Sequence, residues 1–165
     1  MRTERIGVGG RALSRGFTLV ELLVVVMILG ILVAVVIPSF KGAFDSSQQS
    51  AFVADIKIYS DAVHLFAVQT GDWPEDSSTG DIPDGFLDYI ALADWDDGTP
   101  LGGQWDVEHD SYGITSAVGV VFDGGPGRDD EYMQEIDATY DDGLLESRYF
   151  REIEDDNRYY HIVAD

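Results

Sequence analysis

Three hydrophobic patterns follow one another along this chain of 165 residues. From Leu22 to Ile37 sixteen consecutive positions carry no charge, and the residues from Phe17 to Glu21 extend the segment to twenty-one with a single carboxylate. At about 1.5 Å per residue the longer stretch makes roughly 32 Å of helix, enough to cross a hydrocarbon core of roughly 30 Å. Beyond Pro38 the pattern narrows to a stripe, with Phe52, Ile56, Tyr59, Val63 and Phe66 recurring at spacings of four, three, four and three. Asp45, Ser46, Gln49, Asp55, Lys57 and Asp61 fall mainly outside that stripe, and Gly71 and Pro74 mark the stop. This spacing predicts one helix of roughly fifty residues, apolar all round before Pro38 and amphipathic after it, with a curve or kink near the proline.

The third pattern is short and alternating. Residues 71–103 are rich in Gly, Asp and Pro and read as a loop, in which Phe86 to Ile90 make a helical turn or two. Trp73, Trp95 and Trp105 are read as anchors that pack this segment onto the long helix, since large aromatic rings dominate small cores. Strand signals run from Gly103 to Val107 and from Gly113 to Phe122, with Glu108 to Tyr112 as their hairpin connection. A short helix is predicted over Asp130–Tyr140 and a last strand over Tyr159–Val163. The predicted class is α+β, a small antiparallel sheet against the long helix.

Charge separates the two ends. The chain carries −21 overall, yet Arg2, Arg5, Arg11 and Arg15 against Glu4 give +3 over residues 1–16, leaving −24 on residues 17–165. Arginines before the apolar run and acids after it orient it with the N-terminus cytoplasmic and the head translocated. A head this acidic repels phosphate backbones, so nucleic acid bound directly by the head is excluded as an expectation, and cations or basic surfaces are its natural partners. There is no cysteine to form a disulfide.

A secretory signal would place its small-residue cleavage site after the apolar run, where no A-x-A pattern stands. The junction before it reads Ser14-Arg15-Gly16-Phe17-Thr18-Leu19-Val20-Glu21, and here the chain resembles the prepilin signal of type IV pilins and type II secretion pseudopilins. The resemblance covers the first half, roughly to Pro74, and implies a pilin-like fold. It implies cleavage between Gly16 and Phe17 by a prepilin peptidase, N-methylation of Phe17, and an assembly role for Glu21, whose carboxylate the new ammonium of Phe17 would neutralise. Gly30 and Pro38 stand at the family's spacings, and the stretch between them is expected to be a weak point of the helix. The expected organisation is a leader over 1–16, a membrane-spanning and polymerising helix over 17–38, an amphipathic spine over 39–70 and an acidic head over 71–165. An intramembrane carboxylate is costly, which supports a role for Glu21; the plain alternative is that it lies among headgroups and water.

In the head, Asp123, Asp129, Asp130 and Glu131 surround a glycine-rich turn of the oxygen-rich kind that suits Ca2+. The alternative is a solvated turn whose Asp129 or Asp130 caps the next helix, and no cofactor is required. The spacing is not that of an EF-hand. Acids are too abundant for any pair to point to hydrolysis, and His64, His109 and His161 show no metal-ligand spacing. Asp141-Asp142-Gly143 reads as a turn. The expected function is that of a structural subunit and not an enzyme, supporting protein secretion from a type II secretion pseudopilus or a type IV pilus-like filament. The absence of cysteine leans towards the pseudopilin, because many true pilins close a loop with a disulfide. Its partners would be the peptidase, other subunits of its kind and the assembly platform in the cytoplasmic membrane. The other reading is an uncleaved signal-anchored protein whose head binds cations or a basic partner.

Overall fold

A computed structural model describes residues 16–90, 92–122, 128–153 and 157–165. They fall into two compact units, one ending at Gly42 and one beginning at Ala43. Helix α1, Leu19–Thr70, is continuous over 52 residues and belongs to both.

In the first unit every described side chain through Gly42 is exposed, including the whole apolar run. Among the described residues α1 is the one helix long and apolar enough to cross a membrane. So much aliphatic surface is stable only against lipid or against like surfaces of other chains.

The second unit is organised around the apolar stripe of α1. Phe52, Ile56, Tyr59, Val63 and Phe66 are all buried, as the spacing predicts. They face a four-stranded antiparallel sheet made of β1 (Gln104–Ser111), β2 (Ile114–Val121), β3 (Phe150–Glu152) and β4 (Arg158–Ala164), in the order β1-β2-β4-β3. The α+β class is as predicted. Trp105, Val120 and Tyr159 are cross-strand partners on the helix-facing side; Asp106, Gly119 and Tyr160 are partners on the other. The core is aromatic: Phe52 stacks on Trp105 with ring centroids 5.6 Å apart, and Tyr59 meets Trp105 and Trp95 edge-on at 4.6 and 5.1 Å. Trp95 also donates its indole N–H to Gly80 O at 3.1 Å, and through its contact with Tyr59 it packs the loop region onto α1, the anchoring role expected of it. Trp73 is half-buried against His64.

The hairpin differs from the sequence expectation. Glu108 to Ser111 belong to β1, and the connection is only Tyr112–Gly113, with Ser111 opposite Ile114. Both turn residues have positive φ, 52° and 77°, the conformation that matches the twist of the flanking strands. The charged run looks like a loop in sequence, but Glu108 is buried because Arg158 of β4 reaches it at 2.9 Å. Two short elements were not predicted, α2 (Leu92–Asp96) and β3. Helix α3, Asp130–Tyr140, has the predicted bounds and buries Met133, Ile136 and Asp137.

Candidate functional site

At the start of α1, Gly16, Phe17 and Thr18 lie before the helix. Thr18 donates its backbone N–H and its hydroxyl to Glu21 Oε2 at 2.9 and 2.8 Å, while Glu21 N–H donates to Thr18 Oγ1 at 3.2 Å. This is a capping box, which satisfies backbone donors that a helix start otherwise leaves open. Glu21 therefore has a partner within its own turn. The Thr-x-x-Glu spacing before an apolar run is the sequence signal for it. Phe17 is exposed, and a Cβ added at Gly16 would meet nothing within 4 Å. Gly30 is equally open, and α1 stays helical from Gly30 through Pro38. Pro38 has no N–H for the carbonyl of Ala34, and one residue on the Ser39 hydroxyl lies 3.5 Å from Val35 O.

The acidic residues of the late head are spread over different tasks. Asp123 lies outside the described residues. Asp129 is the N-cap of α3, its Oδ1 accepting from Tyr132 N–H at 3.1 Å. Asp130 accepts the Tyr159 hydroxyl at 2.6 Å, and Glu131 is exposed. Among the described residues the carboxylates that converge are Asp137, Asp141 and Asp142, each with one oxygen within 4.8 Å of the others. Asp141-Asp142-Gly143 does turn the chain, Gly143 at φ 79°. Asp137 goes unnoticed in sequence although it stands four residues after Met133, on the apolar face of α3.

On the far face of the sheet the Tyr160 hydroxyl donates to Asp106 Oδ2 at 2.7 Å, and Arg158 pairs with Glu108 at 2.9 Å. Burial pushes the Asp106 carboxyl up to about 6 and holds the Tyr160 hydroxyl un-ionised. A cleft of about 480 Å³ opens beside this network, lined by Asp76, Asp106, Glu108 and Arg158 among others. The histidines are separate. His161 Nδ1 lies 2.8 Å from the Tyr140 hydroxyl and burial brings its pKa down to about 4, while His109 Nδ1 lies 2.9 Å from Thr115 O.

An exposed apolar helix that is capped at its start and continues as the packing surface of a small antiparallel sheet defines a pilin-like α+β protein. Comparison with known proteins agrees. The prokaryotic N-terminal methylation motif matches residues 11–37. The type II secretion system core protein G of Klebsiella michiganensis is 34% identical over 64 residues, 39% of this chain and 45% of the relative. A type IV major pilin protein of Neisseria gonorrhoeae is 33% identical over 70 residues, 42% of each chain, and the type II secretion system core protein G of Aeromonas hydrophila is 36% identical over 59 residues, 36% of this chain and 41% of the relative. The chain thus spans less than half the length of the curated relatives it matches. No solved structure matches it significantly. In its N-terminal motif and its α+β architecture the chain is similar to type IV pilins and type II secretion pseudopilins.

Proposed function

We propose that this chain is a structural subunit of a type II secretion pseudopilus or a type IV pilus-like filament, held in the cytoplasmic membrane and then added to a helical polymer through its apolar helix. The carrying observation is the fully exposed run from Phe17 to Ile37 with Glu21 in its first turn, inside the segment that matches the methylation motif. Exposed aliphatic surface of this length exchanges lipid for like helices without loss of burial. The Gly16–Phe17 bond lies just outside the helix, in backbone free to enter a peptidase. Cleavage there leaves an ammonium on Phe17, close in sequence to the Glu21 carboxylate, and a carboxylate in apolar surroundings is stabilised by such a partner. The head then stands on the far side of the membrane from the arginine-rich N-terminus.

Intact mass spectrometry of the protein recovered from host membranes tests this. The expected native chain starts at methylated Phe17, and the Gly16→Leu variant, which has room for its side chain, stays uncut. A native chain still starting near Met1 replaces this proposal with the uncleaved membrane anchor.

A further inference from the structure

We propose that the cleft on the far face of the sheet is a recognition site for a guanidinium group, the side chain of an arginine presented by a protein partner, which donates to Asp106 Oδ1. The site lies in the head and does not depend on filament assembly. Asp106, Gly119 and Tyr160 are cross-strand partners in β1, β2 and β4, and Asp106 lines the cleft although only 2% of its surface is exposed. Its neighbour Glu108 is engaged at both oxygens: Oε1 accepts Arg158 Nη1 at 2.9 Å, and Oε2 accepts the Ser111 hydroxyl. Asp106 is engaged at one. Its Oδ2 accepts the Tyr160 hydroxyl at 2.7 Å, while Oδ1 has no hydrogen-bond partner in the protein. A buried carboxylate oxygen is ordinarily hydrogen-bonded or paired, so an open one at the bottom of a cleft marks the place of a donor from outside.

The charge on the walls selects the donor. Asp76, Asp106 and Glu108 line the cleft with Arg158, three carboxylates to one guanidinium among the described residues. Burial pushes the Asp106 carboxyl up to about 6; the Tyr160 hydroxyl and Arg158 draw it down, and Glu108 and Asp76 add to the rise. Near neutral pH it therefore stands ionised within an excess of negative charge, which a neutral ligand would leave in place. A compact metal ion fits poorly, because these three carboxylates do not converge to within 4.8 Å as those after α3 do, and Arg158 already stands among them. A planar guanidinium spreads five N–H donors over a fork and is more weakly hydrated than an ammonium, so it suits acceptors set apart in a partly buried site. At about 480 Å³ the cleft is within the range of roughly 300–1,000 Å³ typical of small-ligand sites, ample for one side chain. The rim favours a donor carried by a polypeptide. The exposed Tyr112 ring and the hydroxyl-bearing run Ser77–Thr79 border the cleft, the aromatic and polar surround in which arginine anchors are set at protein interfaces.

The test uses the full chain, isotope-labelled, in mild-detergent micelles at pH 7.5, titrated with capped Gly-Arg-Gly and followed by NMR. Shifts are expected at Thr79, Ser111 and Arg158, with a Kd of about 1 mM, the strength of one or two charge-assisted hydrogen bonds. The same peptide with citrulline in place of arginine, neutral and nearly isosteric, is expected to bind about tenfold more weakly, and the lysine peptide roughly threefold more weakly. Methylguanidinium, which has the head group and no backbone to lie along the rim, is also expected to bind more weakly. At pH 5, where Asp106 is largely protonated, the arginine peptide should lose about tenfold in affinity. Asp106→Asn is expected to show about that loss at pH 7.5 and no further loss at pH 5. Asp76→Asn, at an exposed loop position, should bind roughly threefold more weakly, so the site can be judged even if the first variant does not fold. Asp88→Asn, the same change of charge on exposed surface elsewhere, should bind as wild type. A cleft without shifts, equal binding of the citrulline or the lysine peptide, tighter binding of methylguanidinium, or an Asp106→Asn chain with wild-type affinity and pH profile each overturns the proposal.

Discussion

Gly119 sits in the middle of β2, where any side chain would run into the neighbouring strand. A Cβ there would lie 2.2 Å from Tyr159 O and 2.7 Å from Tyr160 Cα, both backbone atoms of β4. Because backbone cannot rotate away, Gly119→Ala is expected to cost about 3 kcal/mol or more, read as a lower urea midpoint for the head. The same opening lets the Tyr160 ring lie across β2 and reach Asp106. Asp106 titrates near 6 instead of the ordinary 3.8, so its contribution to stability is complete below about pH 4 and is lost as pH rises through 6. His161 works in the opposite sense: held near 4 against an ordinary 6.5, its contribution is present above 6.5 and is lost as pH falls towards 4. Asp106→Asn removes only the first effect. Relative to wild type it is expected to gain stability from pH 4 to pH 7, by up to about 3 kcal/mol, in urea titrations across that range.

At the scale of elements, α3 shows how a sequence can be read correctly and still withhold its chemistry. Its bounds, its apolar face and the capping alternative for Asp129 are all visible in the residues from Asp129 to Tyr140, because caps and periodicity are local signals. Asp129→Ala is expected to destabilise the head by about 1 kcal/mol through the lost cap, in the same unfolding measurement, and Asp129→Asn by much less. The stripe of α1 and the course of β2 are legible for the same reason. The missed features depend on residues distant in sequence. β3 has three residues and exists only because β4 pairs with it; Glu108 belongs to β1 because it pairs with Ala117 of β2, and its buried carboxylate is met by Arg158, fifty residues on. Of the residues singled out beforehand, Gly16, Phe17 and Glu21 stand together at the helix start, whereas the convergence of Asp137 with Asp141 and Asp142 appears only once α3 has formed and the chain has turned after it.

The whole molecule combines two surfaces with opposite demands. The apolar run of α1 gains by aligning with copies of itself, yet residues 17–165 of each copy carry −24. In a polymer those charges would be stacked at high density along one axis, making the filament a polyelectrolyte. Self-repulsion over distances beyond about 10 Å is screened at 0.1 M salt and is largely unscreened at 0.01 M. Cohesion of such a rod should therefore strengthen as ionic strength rises, the reverse of an assembly held by ion pairs. Divalent counterions in the surrounding medium would set how far it can grow before electrostatic tension shears it.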